Sequence, residues 1–178
     1  MDKLNDIGNV YLVGLMGAGK TTVGRMLAKR LNRDFVDSDR EIEARTGVSI
    51  PTIFEIEGEG GFRNREAQVI AALSMQGGQV VATGGGAVLL KENRDNMRKS
   101  GFVVFLNASP YVLMERTRHD RNRPLLQVAD PLKKLTELLS HRDQFYREVA
   151  HLVVDNGRVN TQTLLQMLIK GVEEHWKR

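Results

Sequence analysis

Five short apolar runs alternate with stretches of helical periodicity along the chain. Val10-Tyr11-Leu12-Val13 leads into a glycine turn, after which Val23, Met26, Leu27 and Leu31 recur at helical spacing. Phe35-Val36 forms a second run, ending at Asp37. A helical segment from about Glu59 to Met75 carries Val69, Ile70 and Leu73 as its apolar stripe. Val80-Val81-Ala82 is the third run, followed by Gly84-Gly85-Gly86, and Phe102 to Leu106 is the fourth. Helical patterns and an arginine-rich stretch around Pro124 separate it from the fifth, Leu152-Val153-Val154. The last helix pattern places Leu164, Leu165, Leu168, Ile169, Val172 and Trp176 on one face. Strands that are apolar throughout, alternating with amphipathic helices, predict an α/β fold in three layers, with a central five-stranded parallel sheet flanked by helices. In such sheets ligands sit beyond the carboxyl ends of the strands. The glycine turn, Asp37, Asp39 and the glycine triplet all follow strands, so they are expected around one crevice.

Length and composition narrow the classes. The 178 residues fit one domain, and no repeat, low-complexity tract or linker divides them. The chain has no cysteine, which excludes disulfides, thiolate metal sites and cysteine nucleophiles. Val10 to Val13 is too short for a membrane span or a signal-peptide core, so a cytoplasmic protein without membrane contact is expected. The formal charge of +4 suits either nucleic acid or a polyanionic small molecule. The arginines decide between them. They punctuate the sequence at positions such as Arg63, Arg116, Arg118, Arg121, Arg123 and Arg142, and no aromatic residues interleave them as a base-stacking platform requires. Small anionic substrates, no nucleic acid and a monomer are the expectation.

The most specific chemistry lies after the first strand. Gly14-Leu15-Met16-Gly17-Ala18-Gly19-Lys20-Thr21 satisfies the GxxxxGK[ST] pattern between a strand and a helix. Glycines let the backbone curl around phosphate oxygens with its N–H groups inward, and the helix N-terminus adds partial positive charge. Gly17, Ala18, Gly19, Lys20, Thr21 and Thr22 are therefore expected on ATP. Lys20 would act at the β- and γ-phosphates and the Thr21 hydroxyl would ligate Mg2+. The Asn-Lys-x-Asp segment by which GTPases read guanine does not occur.

Four further segments carry candidate chemistry. In Asp37-Ser38-Asp39, an extended backbone would turn both carboxylates to the crevice, one supporting Mg2+ through water (Asp37) and one meeting the acceptor hydroxyl (Asp39). The alternative is a solvated turn in which Ser38 or Asp39 caps a helix. Arg63 and Glu66 are three apart on a helix, so the carboxylate can steady a guanidinium that grips a substrate carboxylate, or the two form a plain surface pair. Gly84, Gly85 and Gly86 at the end of a core strand suggest close backbone approach to a ligand. Arg121 to Leu126 reads as a mobile basic flap or a charged surface loop. Arg142 falls near the face of the Leu132, Leu135, Leu138, Leu139 stripe, where a cation must be paired or face a cavity.

Taken in order, GLMGAGKT, FVDSD, GFRNRE, ATGGGA, RNRPLL and the arginine four residues before Tyr146 resemble the shikimate kinase family over essentially the whole chain. The resemblance implies a nucleoside-monophosphate-kinase-like fold with a substrate-binding region at about 38–68 and a mobile lid at about 119–128. It implies transfer of the γ-phosphate of ATP to the 3-hydroxyl of shikimate, in chorismate and aromatic amino-acid biosynthesis. By matching position, Asp39, Arg63, Gly84, Gly85, Gly86 and Arg142 would contact shikimate, with Phe54, Phe62 and Pro124 as an apolar wall. Arg123 would be the lid arginine on ATP, and Arg116 and Arg158 would flank the adenine. Lys20, Asp39 and Arg123 would carry catalysis. One segment departs from the family's pattern: Val159 stands where a polar or basic residue is common. The rival readings are a kinase of this fold for gluconate or a nucleotide, a non-catalytic ATP-binding regulatory module, and a nucleic-acid-dependent ATPase.

Overall fold

The computed structural model describes residues 8–177. Its five strands are β1 (Asn9–Val13), β2 (Asp34–Asp37), β3 (Gln79–Ala82), β4 (Gly101–Asn107) and β5 (Leu152–Asp155), ordered β2-β3-β1-β4-β5 and all parallel. Every residue of β1 is buried, because it is paired on both edges and covered on both faces. That explains a run without polar alternation. Among the described residues the α-helices are α1 (Lys20–Leu31), α2 (Ser38–Thr46), α3 (Ile50–Ser74), α4 (Lys91–Ser100), α5 (Pro110–Thr117), α6 (Pro131–Val149) and α7 (Thr161–Trp176). Helix α1 packs with α7, while α4 packs with both α3 and α6, so helices flank the sheet. Each predicted strand is present, one or two residues longer than its apolar core.

Two helices differ from the sequence reading. Helix α3 starts at Ile50 rather than near Glu59, capped by the Ser49 side chain, which accepts from the Thr52 N–H. Gly58, at φ 70° and ψ −178°, breaks its course, and this break hides the first segment's periodicity from the second's. Helix α4 was not foreseen because its buried side is Asn93, Arg94 and Met97, only one of them apolar. Both flaws arise where the hydrophobic pattern fails to mark the buried face.

Three of the segments with candidate chemistry leave the sheet at the carboxyl ends of its strands. The turn 14–19 follows β1, Asp37 ends β2, and the glycine triplet follows β3. Gly14 to Gly19 pass directly into α1, whose N-cap is Gly19 at φ 92°. A Cβ on Gly19 would stand 2.6 Å from Asn156 Nδ2, so glycine is required by both conformation and space.

Candidate active site

The turn after β1 is closed by its own hydrogen bonds. The Ala18 N–H donates to the Leu15 carbonyl at 3.1 Å, and Asn156 Nδ2 donates to the Ala18 carbonyl at 2.6 Å. Lys20 is only 9% exposed and folds back over the turn, its Nζ donating to Gly14 O at 2.5 Å and Leu15 O at 3.0 Å. Burial pulls its ammonium down to about 7, with Arg123 and Arg142 adding to the effect and Asp39 and Asp37 opposing it. Such a lysine is suited to an anion, since phosphates would supply negative charge beside it.

Asp37 does two things at once. Its Oδ1 accepts from the N–H groups of Asp39 (3.0 Å) and Arg40 (3.3 Å), capping α2, while Oδ2 accepts from Thr21 Oγ1 at 3.0 Å. The expectation of an extended Asp37-Ser38-Asp39 is thus corrected: the helix begins at Ser38. The cap is Asp37, neither Ser38 nor Asp39. Capping and facing the crevice do not exclude each other, because a carboxylate has two oxygens. Asp37 and Asp39 both border the crevice, and Ser38 turns inward, its Oγ accepting from the Gly84 N–H at 3.0 Å.

Two adjoining depressions lie along this edge, of about 340 and 320 Å³. Gly17, Gly19, Lys20, Thr21, Thr22, Arg116 and Arg123 line the smaller one. The larger is bordered by Arg63, Glu66, Gly84, Gly85, Gly86 and Arg142, with Phe54, Phe62 and Pro124 among its apolar residues. Met16, Thr21, Asp37, Asp39, Gly84, Gly85 and Arg123 border both, so they mark where contents of one would meet contents of the other.

Arginines and carboxylates meet side by side in the larger depression. Arg63 donates from Nη1 to Glu66 Oε1 at 2.9 Å and from Nη2 to Glu59 Oε1 at 3.3 Å, and its guanidinium lies 5.1 Å from the Phe62 ring centroid. Glu66 is fully buried, so this is no surface pair. Burial pushes the Glu66 carboxyl up to about 7 against the opposing pull of Arg63. Arg142 is 3% exposed and keeps Nε and Nη1 without hydrogen-bond partners among the described residues. Arg63 Nε, Asp39 Oδ1 and Glu66 Oε2 share that condition. Buried polar atoms are nearly always paired, so a cluster of unpaired ones on residues that border a depression suits a polar ligand. Burial, followed by the neighbouring Asp37 charge, raises the Asp39 carboxyl, while Arg123, Lys20 and Arg63 hold it down. Arg123 Nη1 stands 3.9 Å from Asp39 Oδ2, its Nε bonded to Asp120 Oδ2 at 3.1 Å.

The glycine triplet is explained first by neighbours within the protein. A Cβ on Gly84 would stand 2.7 Å from both Asp39 Oδ1 and Glu66 Oε2, and one on Gly86 would collide with the Arg63 guanidinium. At Gly85 the nearest atoms, Met16 N and Arg142 Nη1, are 3.4 and 3.5 Å away, ordinary contact distances. The site's own charged groups therefore lie directly on the backbone.

Arg116 joins the turn to the end of β5, donating to Gly17 O at 3.2 Å and Asn156 O at 3.4 Å. Arg158 borders a separate depression of about 240 Å³ with Asn107, Ser109, Val112 and Asp155. Sequence reasoning gave no holding role to Asn156, Asp120 or Ser38, the last of which it offered only as a helix cap. Each acts by holding a foreseen residue, a task that no spacing rule announces.

The topology and the turn define a class of protein, the P-loop α/β fold with its phosphate-binding type of turn after the first strand. The sequence model of the shikimate kinase family matches residues 16–173. Shikimate kinases of Dechloromonas aromatica and Thiobacillus denitrificans are 62% and 60% identical, over 91% and 90% of this chain and 88% and 87% of theirs. The solved shikimate kinase of Acinetobacter baumannii in complex with shikimate is 47% identical, with a TM-score of 0.92 over 97% of this chain and 96% of that one. The chain belongs to the shikimate kinase family.

Proposed function

We propose that the protein transfers the γ-phosphate of ATP to the 3-hydroxyl of shikimate, giving shikimate 3-phosphate and ADP. The observation that carries this reading is the pair of half-satisfied arginines, Arg63 and Arg142, in the depression that adjoins the phosphate loop at Asp39. Their free N–H groups suit a carboxylate, which accepts paired, charge-assisted hydrogen bonds. An apolar wall of Phe54, Phe62 and Pro124 suits a carbon ring. Asp39 sits between the two depressions, where the acceptor hydroxyl would face the γ-phosphate.

Phosphoryl transfer through a loose transition state demands alignment and charge neutralisation more than covalent help. Asp39 orients the hydroxyl and accepts its proton, and the raised proton affinity that burial gives it assists that step. Lys20 leaves the Gly14 and Leu15 carbonyls for the β- and γ-phosphates, with the loop N–H groups and the start of α1 around them. Arg123, already beside Asp39, neutralises charge as the phosphoryl group moves. Arg116 and Arg158 border the adenine end.

The Thr21 hydroxyl and Asp37 carboxylate, bonded to each other at the start of α1, are hard oxygen donors of the kind Mg2+ takes. Thr21 would hold the ion directly and Asp37 through water. Held there beside ATP, Mg2+ would neutralise phosphate charge. In this reading residues 1–178 form one kinase domain, 38–68 and 119–128 are its acceptor region and mobile lid, and the enzyme is monomeric and cytoplasmic. Among the described residues no helix is long and apolar enough to cross a membrane.

Coupled ADP release with ATP and Mg2+ tests the assignment, comparing shikimate with gluconate, AMP and no acceptor. Turnover is expected with shikimate alone, and Asp39→Asn should lower kcat by about 10²–10⁴ while ATP still binds. Turnover with a different acceptor would reject shikimate. ATP binding without any turnover would instead indicate a regulatory module.

A further inference from the structure

Tyr146 follows Arg142 by one turn of α6, and both side chains reach the middle glycine of the triplet. The Tyr146 hydroxyl donates to the Gly85 carbonyl at 2.5 Å, and Arg142 Nη1 is 3.5 Å from where a Gly85 Cβ would be. The ring is fully buried and stacked on Phe105 of β4, with centroids 4.8 Å apart and planes at 23°. Burial pushes the phenol up to about 12, in spite of the Arg142 guanidinium beside it, so the group remains a donor at any physiological pH.

Other elements anchor the rest of this loop. Ser38 of α2 accepts from the Gly84 N–H at 3.0 Å. From α4, Asn93 Nδ2 donates to Ala87 O at 2.9 Å and Arg94 Nη1 to Val88 O at 2.7 Å. Tyr146 holds the stretch between, and does so from the helix that carries Arg142. A trans peptide is planar, so a carbonyl tied toward Tyr146 turns the N–H of Gly86 the opposite way. Between two glycines such a peptide meets little steric resistance to rotation. Free to rotate, it would offer an acceptor anion its carbonyl, the negative end, in place of its N–H.

We propose that Tyr146 is a positioning residue for the acceptor: its hydroxyl sets the direction of the Gly85–Gly86 peptide and keeps that peptide in register with Arg142 for an anionic group. This rests on the larger depression being the acceptor site. The group positioned is the acceptor carboxylate, not the nucleotide, because Arg142 and Gly86 border the larger depression and are absent from the lining of the nucleotide-side one.

Tyr146→Phe removes one oxygen and retains the ring stack. Loss of a neutral buried hydrogen bond should raise the KM for shikimate about threefold to tenfold. The KM for ATP and kcat should stay within about twofold of wild type. Calorimetric binding of the uncharged primary-amide analogue of shikimate should be equal in the two proteins, since the peptide direction matters to a carboxylate. A purely structural role would lower the melting temperature and leave the shikimate KM unchanged, or raise both KM values together, and either outcome overturns the proposal. Wild-type protein that fails to turn over shikimate would overturn the acceptor assignment and this inference with it. Wild-type turnover with an unaltered variant KM removes the tyrosine's role alone.

Discussion

Arg142 should be a burden on the fold. It is 3% exposed, two of its guanidinium nitrogens lack partners, and it depresses the nearby Lys20 ammonium. Each buried donor left unsatisfied costs about 1–3 kcal/mol. Buried ionic groups replaced as a set by apolar side chains of similar volume are commonly neutral or stabilising by about 1–4 kcal/mol. Arg142→Met retains an unbranched chain in the same space, so a gain of about 1–3 kcal/mol is expected. For a domain of this size that raises the melting temperature by roughly 2–10 °C. The same change removes two charge-assisted hydrogen bonds to the acceptor, worth about 1.5–3 kcal/mol each, or at least 100-fold in Kd. Thermal unfolding with and without saturating shikimate reads both effects. Wild-type protein should melt higher with shikimate through mass action, while the variant should melt higher without it and show no shift. An ATP-induced shift should survive in both. A variant melting several degrees below wild type would mean that the guanidinium supports the fold, and a retained shikimate shift would mean that it does not hold the acceptor.

Two other perturbations probe separate parts of the molecule. Gly84→Ala places a methyl 2.7 Å from Asp39 Oδ1 and Glu66 Oε2, and should cost about 1–3 kcal/mol by overpacking while lowering kcat. Denaturant melts and coupled assays check both parts, and wild-type values in each would mean that the carboxylates yield without loss. His151, whose Nδ1 accepts from the Val103 N–H at 3.0 Å, is held down to about 4 by burial first, then by Arg98 and His175. Its folded value lies below its unfolded one, so its contribution to stability is complete above about pH 6.5 and is lost as pH falls through about 4. Between those limits His151→Asn should lose less stability than wild type, and identical slopes in urea titrations would exclude the histidine.

The sheet and the nucleotide loop were legible because each rests on local information. Uninterrupted apolar runs mark strands buried on both faces, and GxxxxGK[ST] encodes a backbone shape in fixed spacing. Arg142 was legible by contradiction, a cation near an apolar helix face, and it borders the larger depression with two of its nitrogens unpaired. What the sequence could not reveal depends on distance across the chain. Helix α4 buries Asn93 and Arg94 because the carbonyls of Ala87, Val88 and Leu89 need donors, a demand that exists only after folding. The double duty of Asp37 was hidden for a similar reason, since its second oxygen meets Thr21, sixteen positions earlier. The triplet's glycines were legible as close approach, but the Asp39, Glu66 and Arg63 side chains that demand it come from α2 and α3.

The nucleotide and acceptor halves of the site differ in the ground they stand on. The phosphate loop springs from β1, which is hydrogen-bonded on both edges and wholly shielded, whereas Arg63 lies past the Gly58 break in α3. Local opening follows the weakest cooperative unit, and a central strand opens only with the whole molecule. Under gradual denaturation or ageing, the protein should therefore forget its acceptor before it forgets its nucleotide. A damaged population of this kind would still sequester ATP while phosphorylating nothing, so nucleotide binding overstates the intact fraction and turnover is the truer gauge of it.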